Sequence, residues 1–396
     1  MMDELVNISK KRIEGVSVKF SRFLKDKIDV RQRLIGIKGA RGTGKTTLLL
    51  QLLKELPENK VLFASLDDLW FSTNTLVSLA EKFARTGGKY LYLDEVHKYA
   101  NWSQELKNIY DAYPDLHVIF TSSSALDINK GKYDLSRRAL IFELQGLSFR
   151  EFLELKHDII VKPVPLENIL FDSHVEITKI LKKVKPYEFF GEYLSSGYYP
   201  YFTEGTGYYH QRLKETINLV IESDLPAIFR IDYGSIIKIK KLLALISEIV
   251  PYIPNIKKLS VQIGTTRDSL LKYLQLLHNA HIVRWLSSDA FGINFLNKPE
   301  KLYLENTNIL YALNKSKVNT GTIRETFFLN QLSMQHLITY PKSADFLVDN
   351  KYTFEIGGRN KGKKQITGIE NSYIVKDDIE YGYGNIIPLW LFGFIY

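Results

Sequence analysis

One glycine-rich octet, Gly39-Ala40-Arg41-Gly42-Thr43-Gly44-Lys45-Thr46, constrains this chain more than any other stretch. It fits the spacing G-x-x-x-x-G-K-[ST] of a phosphate-binding loop. Leu34-Ile35-Gly36-Ile37 before it reads as a short buried strand, and Thr47 to Lys54 after it reads as a helix. Strand, loop and helix in that order are the context the motif requires. Glycines let the backbone wrap closely around phosphates, and the amides at the helix start point at the negative charge. Lys45 reaches the β- and γ-phosphates, and the Thr46 hydroxyl binds Mg²⁺. The phosphate-binding set is therefore Gly39, Ala40, Arg41, Gly42, Thr43, Gly44, Lys45, Thr46 and Thr47.

Downstream, Lys60 to Leu66 reads as a second strand, and Leu76 to Phe83 as a helix that stops at Gly87-Gly88. Tyr90-Leu91-Tyr92-Leu93-Asp94-Glu95 is a buried strand ending in two acids. An aspartate there holds Mg²⁺ through its water shell, and an adjacent glutamate orients and deprotonates an attacking water. Trp102 to Tyr113 reads as a helix, and Leu116 to Thr121 as a fourth strand capped by Ser122-Ser123-Ser124. Ser122 and Ser123 are either γ-phosphate sensors or a plain turn or cap. Asp134-Leu135-Ser136-Arg137-Arg138 precedes the strand Ala139 to Leu144. An arginine there either reaches the γ-phosphate in a neighbouring subunit or is a solvated basic turn.

With 396 residues, more than one domain is expected, and a hydrophobic content of 45% fills their cores. The absence of cysteine excludes disulfides, thiol catalysis and cysteine-based zinc fingers, and suits a reducing cytosol. Asp3 and Glu4 argue against a signal peptide, and no apolar run reaches the ~18 residues that span a bilayer. The expectation is a cytoplasmic protein without a membrane partner. The apolar stretch 386–392 reads as a buried strand. A net charge of +9 makes an acidic partner such as nucleic acid plausible, and equally suits a merely basic protein.

Residues 34–155 resemble the AAA+ ATPase core of a prokaryotic family. The likeness rests on Leu93-Asp94-Glu95-Val96-His97-Lys98, on Thr121-Ser122-Ser123-Ser124 and on Leu147-Ser148-Phe149-Arg150-Glu151-Phe152. Ser122 stands where the family has glycine. The resemblance implies ATP as the nucleotide, a homo-oligomer, and an arginine finger at Arg138 with Arg137 as its neighbour.

Residues 159–232 show no strand alternation and read as a helical lid, broken at Leu194 to Pro200 and at Ile221 to Pro226. Residues 236–300 carry a winged-helix pattern: a helix Ile236 to Ile249, a short helix Lys258 to Ile263, and a third helix begun by Thr265 with a capping box at Asp268. Leu270, Leu274 and Leu277 face inward, while Thr266, Arg267, Ser269, Lys272 and Tyr273 face out. Val283 to Leu286 starts the wing. Such a module contacts DNA or docks a protein.

Beyond residue 300, Glu325 lies on a helix Ile323 to Met334, Asp345 opens the strand Asp345 to Val348, and Glu355 sits in the strand Tyr352 to Ile356. Three acids from a helix and two adjacent strands can converge on a metal. This resembles the PD-(D/E)xK nuclease fold, in which lysine follows the last acid at the second position. Here that position is Gly357, with Lys361, Lys363 and Lys364 as substitutes. The resemblance implies a nuclease-like fold that has lost cleavage, with Glu325, Asp345 and Glu355 as a degenerate site.

The expected architecture is α/β: an AAA+ P-loop core (1–158), a helical lid (159–232), a winged helix (233–300) and a mixed α/β nuclease-like domain (301–396). The expected function is Mg²⁺-dependent ATP hydrolysis acting on or regulated by DNA. Glu95 activates water, Lys45 neutralises phosphate, and Thr46 with Asp94 holds Mg²⁺. The alternatives are a nucleotide switch that docks a protein partner and an ATP-regulated nuclease.

Overall fold

The computed structural model describes residues 2–125, 135, 137–288, 299–314, 318–362 and 364–396. They form two compact units: residues 1–146 with 223–230, and residues 147–222 with 231–396. The units divide at Gly146/Leu147, whereas the sequence places the first boundary at 158. The segment 223–230, read as lid, packs with the first unit although the chain on both sides of it belongs to the second.

The first unit contains α1 (Met2–Gly15), β1 (Leu34–Gly39), α2 (Lys45–Lys54), β2 (Val61–Ser65), α3 (Leu76–Arg85), β3 (Tyr90–Asp94), α4 (Trp102–Ala112), β4 (His117–Ser123) and β5 (Leu140–Glu143). The five strands make one parallel sheet in the order β2-β3-β4-β1-β5. Alternating residues serve opposite faces of a strand, and both faces here are apolar. Leu91 and Leu93 of β3 and Val118 and Phe120 of β4 pack with Leu79, Phe83, Leu106 and Ile109. Tyr92 and Ile119 face the other way, onto Leu48, Leu49, Leu52 and Leu53 of α2. The five strands read from the sequence are all present. Ser122 and Ser123, expected as a cap, belong to β4, because its parallel ladder with β1 continues through Lys38↔Ser122 and Gly39↔Ser123.

Two glycines shape the loop after β1. A side chain on Gly39 would sit 2.3 Å from the Leu144 carbonyl, and Gly44 takes a left-handed φ of 92° just before α2. The loop is also tied from behind. Buried Arg22 donates to the carbonyls of Thr43 (2.6 Å), Gln145 (2.7 Å) and Gly146 (2.8 Å).

The second unit begins with α5 (Phe149–His157), which starts at a capping box between Ser148 and Glu151. Helices α6 (Leu166–Phe171), α7 (Ser173–Leu181), α8 (Pro186–Ser196) and α9 (Tyr209–Leu219) follow, as the absence of strand alternation implied. After α10 (Leu225–Phe229), which lies in the first unit, come α11 (Tyr233–Ile249), α12 (Ile256–Ile263) and α13 (Arg267–Asn279). The antiparallel pair β6 (Val283–Leu286) and β7 (Lys301–Leu304) comes next. Helix α13 starts two residues later than expected. Its cap is Thr266, whose side chain accepts from Ser269 N–H at 3.2 Å, so no box forms between Thr265 and Asp268. Tyr273 is buried rather than exposed, with its hydroxyl 2.9 Å from Ser235 Oγ at the start of α11. Thr266, Arg267 and Lys272 are exposed and Ser269 is half-buried.

Helices α14 (Thr307–Leu313) and α15 (Thr320–Leu332) lead to a second sheet of β8 (Ile338–Thr339), β9 (Phe346–Val348), β10 (Tyr352–Gly357), β11 (Ser372–Lys376) and β12 (Ile386–Pro388), in the order β12-β11-β10-β9-β8. Its β10, β11 and β12 are parallel, and β8 and β9 run antiparallel. The apolar stretch 386–392 is a strand only to Pro388. Leu389–Phe394 is a 3₁₀ helix with every residue buried, since proline ends the ladder and the apolar side chains still find cover. Among the described residues no helix is long and apolar enough to cross a membrane.

Arg22→Met should lower the stability of the first unit by about 2–4 kcal/mol, because three buried carbonyls lose a charged donor. Chemical denaturation against wild type measures it. A shift no larger than that of Lys19→Ala, an exposed residue, would refute the tie.

Candidate functional site

The loop between β1 and α2 faces the ends of β3 and β4. Thr46, in the first turn of α2, donates its hydroxyl to Asp94 Oδ2 at 2.6 Å. The other oxygen of Asp94 accepts from the Thr121 hydroxyl of β4. That same Thr121 oxygen accepts from Glu95 N–H at 3.0 Å. One carboxylate thus joins helix start, strand end and neighbouring strand. Burial pushes the Asp94 pKa up, opposed by the hydrogen bonds from Thr121 and Thr46. Lys45 is buried, and its ammonium donates to the carbonyls of Gly39 (2.9 Å) and Ala40 (3.0 Å). Burial pulls its pKa down, against the attraction of Glu95 and Asp94.

Glu95 sits at φ 54°, ψ 40°, a left-handed conformation that costs a non-glycine residue about 1–2 kcal/mol. Its Oε2 lies 3.4 Å from His97 Nε2. The Ser123 N–H donates to His97 Nδ1 at 3.2 Å, which places the imidazole proton on Nε2, toward Glu95. Burial lowers the His97 pKa to about 4, so the ring is neutral at physiological pH.

Asp94, Glu95, Lys45 and Thr46, all expected from the sequence, therefore share one crevice. The hydroxyl that reaches Asp94 belongs to Thr121, one residue before the serines singled out as sensors. The Ser122 Oγ is buried with no hydrogen-bond partner, and Ser123 contributes its backbone amide to His97. Strand alternation carried the signal: Thr121 and Ser123 share a face and Ser122 has the opposite one. Arg138 forms a two-pronged pair with Asp111 of α4, at 3.1 and 3.2 Å, and Arg137 is exposed. Asp134 and Ser136 lie outside the described residues. Asp224 was not foreseen. It reaches Arg41 and Lys98 from well over a hundred residues downstream, a distance no local spacing reveals.

The second unit holds the three other predicted acids, but they do not converge on a metal: among the described residues no group of three or more acids or histidines is placed to hold one. Glu325 Oε2 on α15 accepts from Lys301 Nζ (2.9 Å) and Tyr303 OH (2.8 Å), both on β7. Lys301 Nζ is also 3.7 Å from Asp345 Oδ1, and Asp345 Oδ2 accepts from Ile356 N–H at 2.8 Å. Glu355, 1% exposed, is paired with Lys361. Burial raises the pKa values of both Glu325 and Glu355, and the charge of Asp345 adds to each. A side chain on Gly357 would lie 2.5 Å from Lys361 Cγ. The glycine that replaces the expected lysine is what lets Lys361 cross to Glu355. Lys363 lies outside the described residues.

Residues 31–153 match the family described as AAA domain, and residues 187–320 match a family described as a domain of unknown function, DUF8612. The uncharacterized protein MJ1637 of Methanocaldococcus jannaschii is 30% identical over 244 residues, covering 57% of this chain and 51% of that protein. This chain thus spans about half the length of that relative. Among solved structures, AMPPCP-bound DnaA from Aquifex aeolicus is 15% identical with a TM-score of 0.27, over 64% of this chain and 84% of that one. Domain III of the replication initiation protein DnaA from Thermotoga maritima is 20% identical with a TM-score of 0.26, over 35% and 68%. The stretch that holds the crevice thus matches an AAA domain, on a parallel α/β sheet of the P-loop kind.

Proposed function

We propose that this protein hydrolyses ATP with Mg²⁺ and uses its second unit to engage DNA. The observation that carries the proposal is the meeting of Thr46, Asp94 and Thr121 beside a buried Lys45 at the head of α2. The amides of Gly39 to Thr47 and the Lys45 ammonium suit phosphate oxygens. The Thr46 hydroxyl and Asp94 carboxylate are hard oxygen donors in contact, a pair that fits Mg²⁺. When bound, Mg²⁺ would neutralise charge on the β- and γ-phosphates. Glu95 is the general base for water. Its left-handed backbone fixes where the side chain starts, and its Oε2 lies 3.4 Å from His97 Nε2. Adenine as the base rests on the family resemblance alone. The finger is assigned to Arg138, with Arg137 beside it, acting on a neighbouring subunit of a homo-oligomer.

Helices α11, α12 and α13 with the β6/β7 hairpin support a winged-helix reading, with Thr266, Arg267 and Lys272 as the exposed contacts. Residues 301–396 are read as nuclease-like and non-cleaving, because Lys301 and Lys361 already neutralise the acids. An ATP-regulated nuclease is the second reading. It is favoured by Lys361, which brings a lysine to Glu355 where the local sequence lacks one. Mn²⁺-dependent cleavage of duplex DNA, abolished by Asp345→Ala, would decide for it.

Glu95→Gln should bind a fluorescent ATP analogue like wild type and turn ATP over about 100-fold or more slower, whereas Lys45→Ala should lose binding. Turnover by Glu95→Gln at the wild-type rate would remove the assigned role. Duplex DNA should stimulate the ATPase, and Arg267→Ala/Lys272→Ala should flatten the salt dependence of DNA binding.

The buried His97 predicts an acid sensitivity. Its folded pKa of about 4 lies below the ordinary 6.5, so protonation favours the unfolded chain. The stability is complete above about pH 6.5 and falls by about 3 kcal/mol as pH drops toward 4. His97→Asn should flatten that part of the curve, read from denaturation midpoints of the two proteins across pH. An unchanged slope would show that His97 is not the titrating group.

A further inference from the structure

Arg41 and Lys98 converge on a single carboxylate. Asp224 Oδ1 is 2.5 Å from Lys98 Nζ, and Asp224 Oδ2 is 3.3 Å from Arg41 Nη1. The acid is 2% exposed, while Arg41 and Lys98 are 37% and 22% exposed. Both cations therefore keep part of their side chains open to solvent, and the acid does not. A guanidinium has five N–H donors and an ammonium three, so each has capacity beyond this pair. Arg41 lies inside the phosphate-binding loop, and Lys98 follows the Asp94-Glu95 pair by one short turn. Lys45 and His97 both feel the charges of Arg41 and Asp224, which puts these groups in one electrostatic neighbourhood.

We infer that Arg41 and Lys98 are a second cationic arm of the triphosphate site, and that Asp224 is the acid that a γ-phosphate displaces from them. This rests on the nucleotide reading of the crevice. The charge logic is direct. A buried carboxylate and a phosphate cannot both be neutralised by the same two cations without strong mutual repulsion. Binding of a triphosphate therefore weakens the hold on Asp224, and by reciprocity an engaged Asp224 weakens binding.

The chain gives the exchange somewhere to go. Asp224 ends a π-helical turn, Val220–Asp224, a geometry frequent at functional positions. It is followed by α10, which is anchored by the buried Leu225 and stopped by Arg230 in a left-handed conformation at φ 52°. This segment, 223–230, packs with the first unit while residues 222 and 231 belong to the second. Releasing Asp224 loosens the one stretch that the second unit's chain contributes to the first. Asp224 is thus a positioning residue through which nucleotide occupancy reaches the segment 223–230.

The test uses the full chain and two readouts that do not need turnover. A fluorescent non-hydrolysable ATP analogue and its ADP counterpart report affinity, and limited trypsin digestion reports cleavage after the exposed Arg230. In wild type, the triphosphate analogue should speed cleavage at Arg230 and the diphosphate should not. Asp224→Asn should bind the triphosphate about tenfold tighter and be cleaved fast with or without it, while Asp224→Glu restores the wild-type pattern. Lys98→Ala should weaken triphosphate binding about tenfold with little effect on the diphosphate, and it serves if Asp224→Asn fails to fold. Equal triphosphate affinity and equal cleavage in wild type and Asp224→Asn would overturn the latch and leave the nucleotide reading standing. So would an equal loss of both nucleotides in Lys98→Ala. Failure of wild type to bind either nucleotide would overturn both.

Discussion

The hydrogen bond from Thr46 to Asp94 is the constraint on which the first unit is arranged. Helix α2 must begin where the end of β3 delivers a carboxylate, and both positions are set by the parallel sheet. β4 lies between β1 and β3, so its Thr121 is the side chain that closes the bridge from the other oxygen of Asp94. The three elements are covered by apolar residues on both faces, which excludes water from the carboxylate and makes each hydrogen bond to it matter more. A carboxylate buried with two hydroxyl donors is stable enough to exist and under-solvated enough to welcome a cation.

Cost elsewhere in the unit is consistent with a site under such pressure. Glu95 holds a left-handed backbone that glycine or asparagine would adopt more easily. His97 gives up its charge through burial, and its Nε2, 3.4 Å from Glu95 Oε2, is left without a hydrogen-bond partner. Arg22 spends its guanidinium on the carbonyls of Thr43, Gln145 and Gly146, tying the loop to the segment that follows β5. These residues make no use of the helix or strand patterns around them. Each is explained by the geometry of the loop and the two strand ends.

What was legible in the sequence follows the range of the interaction that fixes it. The strand-loop-helix around Lys45 and the strand ending at Asp94-Glu95 are local patterns, and they stand within a residue or two of expectation. Ser122 and Ser123 were read as either phosphate sensors or a turn or cap, yet the ladder with β1 carries both inside β4, and the Ser122 hydroxyl is buried without a partner. Tyr273 was read as exposed from helical spacing alone. Its partner is Ser235 on α11, and no spacing within α13 announces a contact across that gap. The start of α13 slipped because two adjacent threonines compete for the cap, and the choice fell to Thr266, whose side chain reaches Ser269. Asp224 is the limiting case: the pairing with Arg41 and Lys98 depends wholly on the chain returning to the first unit at residue 223.

The acid cluster of the second unit poses the same electrostatic problem and solves it differently. Glu325, Asp345 and Glu355 come from a helix and neighbouring strands, and their mutual repulsion raises the pKa values of both glutamates beyond what burial does. In the crevice of the first unit, hydroxyls stabilise the acid at strand end. Here the neutralising groups are Lys301 and Lys361. A lysine tethered within the fold competes with a free cation as an intramolecular partner, at an effective concentration set by its tether. Gly357 is the residue that permits this, since any side chain there would collide with the Lys361 stem. A larger residue at 357 would thus expel Lys361 and leave Glu355, already short of one hydrogen-bond partner, to find another cation. The lysines therefore make this a balanced set of charges, and among the described residues no group of three or more acids or histidines is placed to hold a metal.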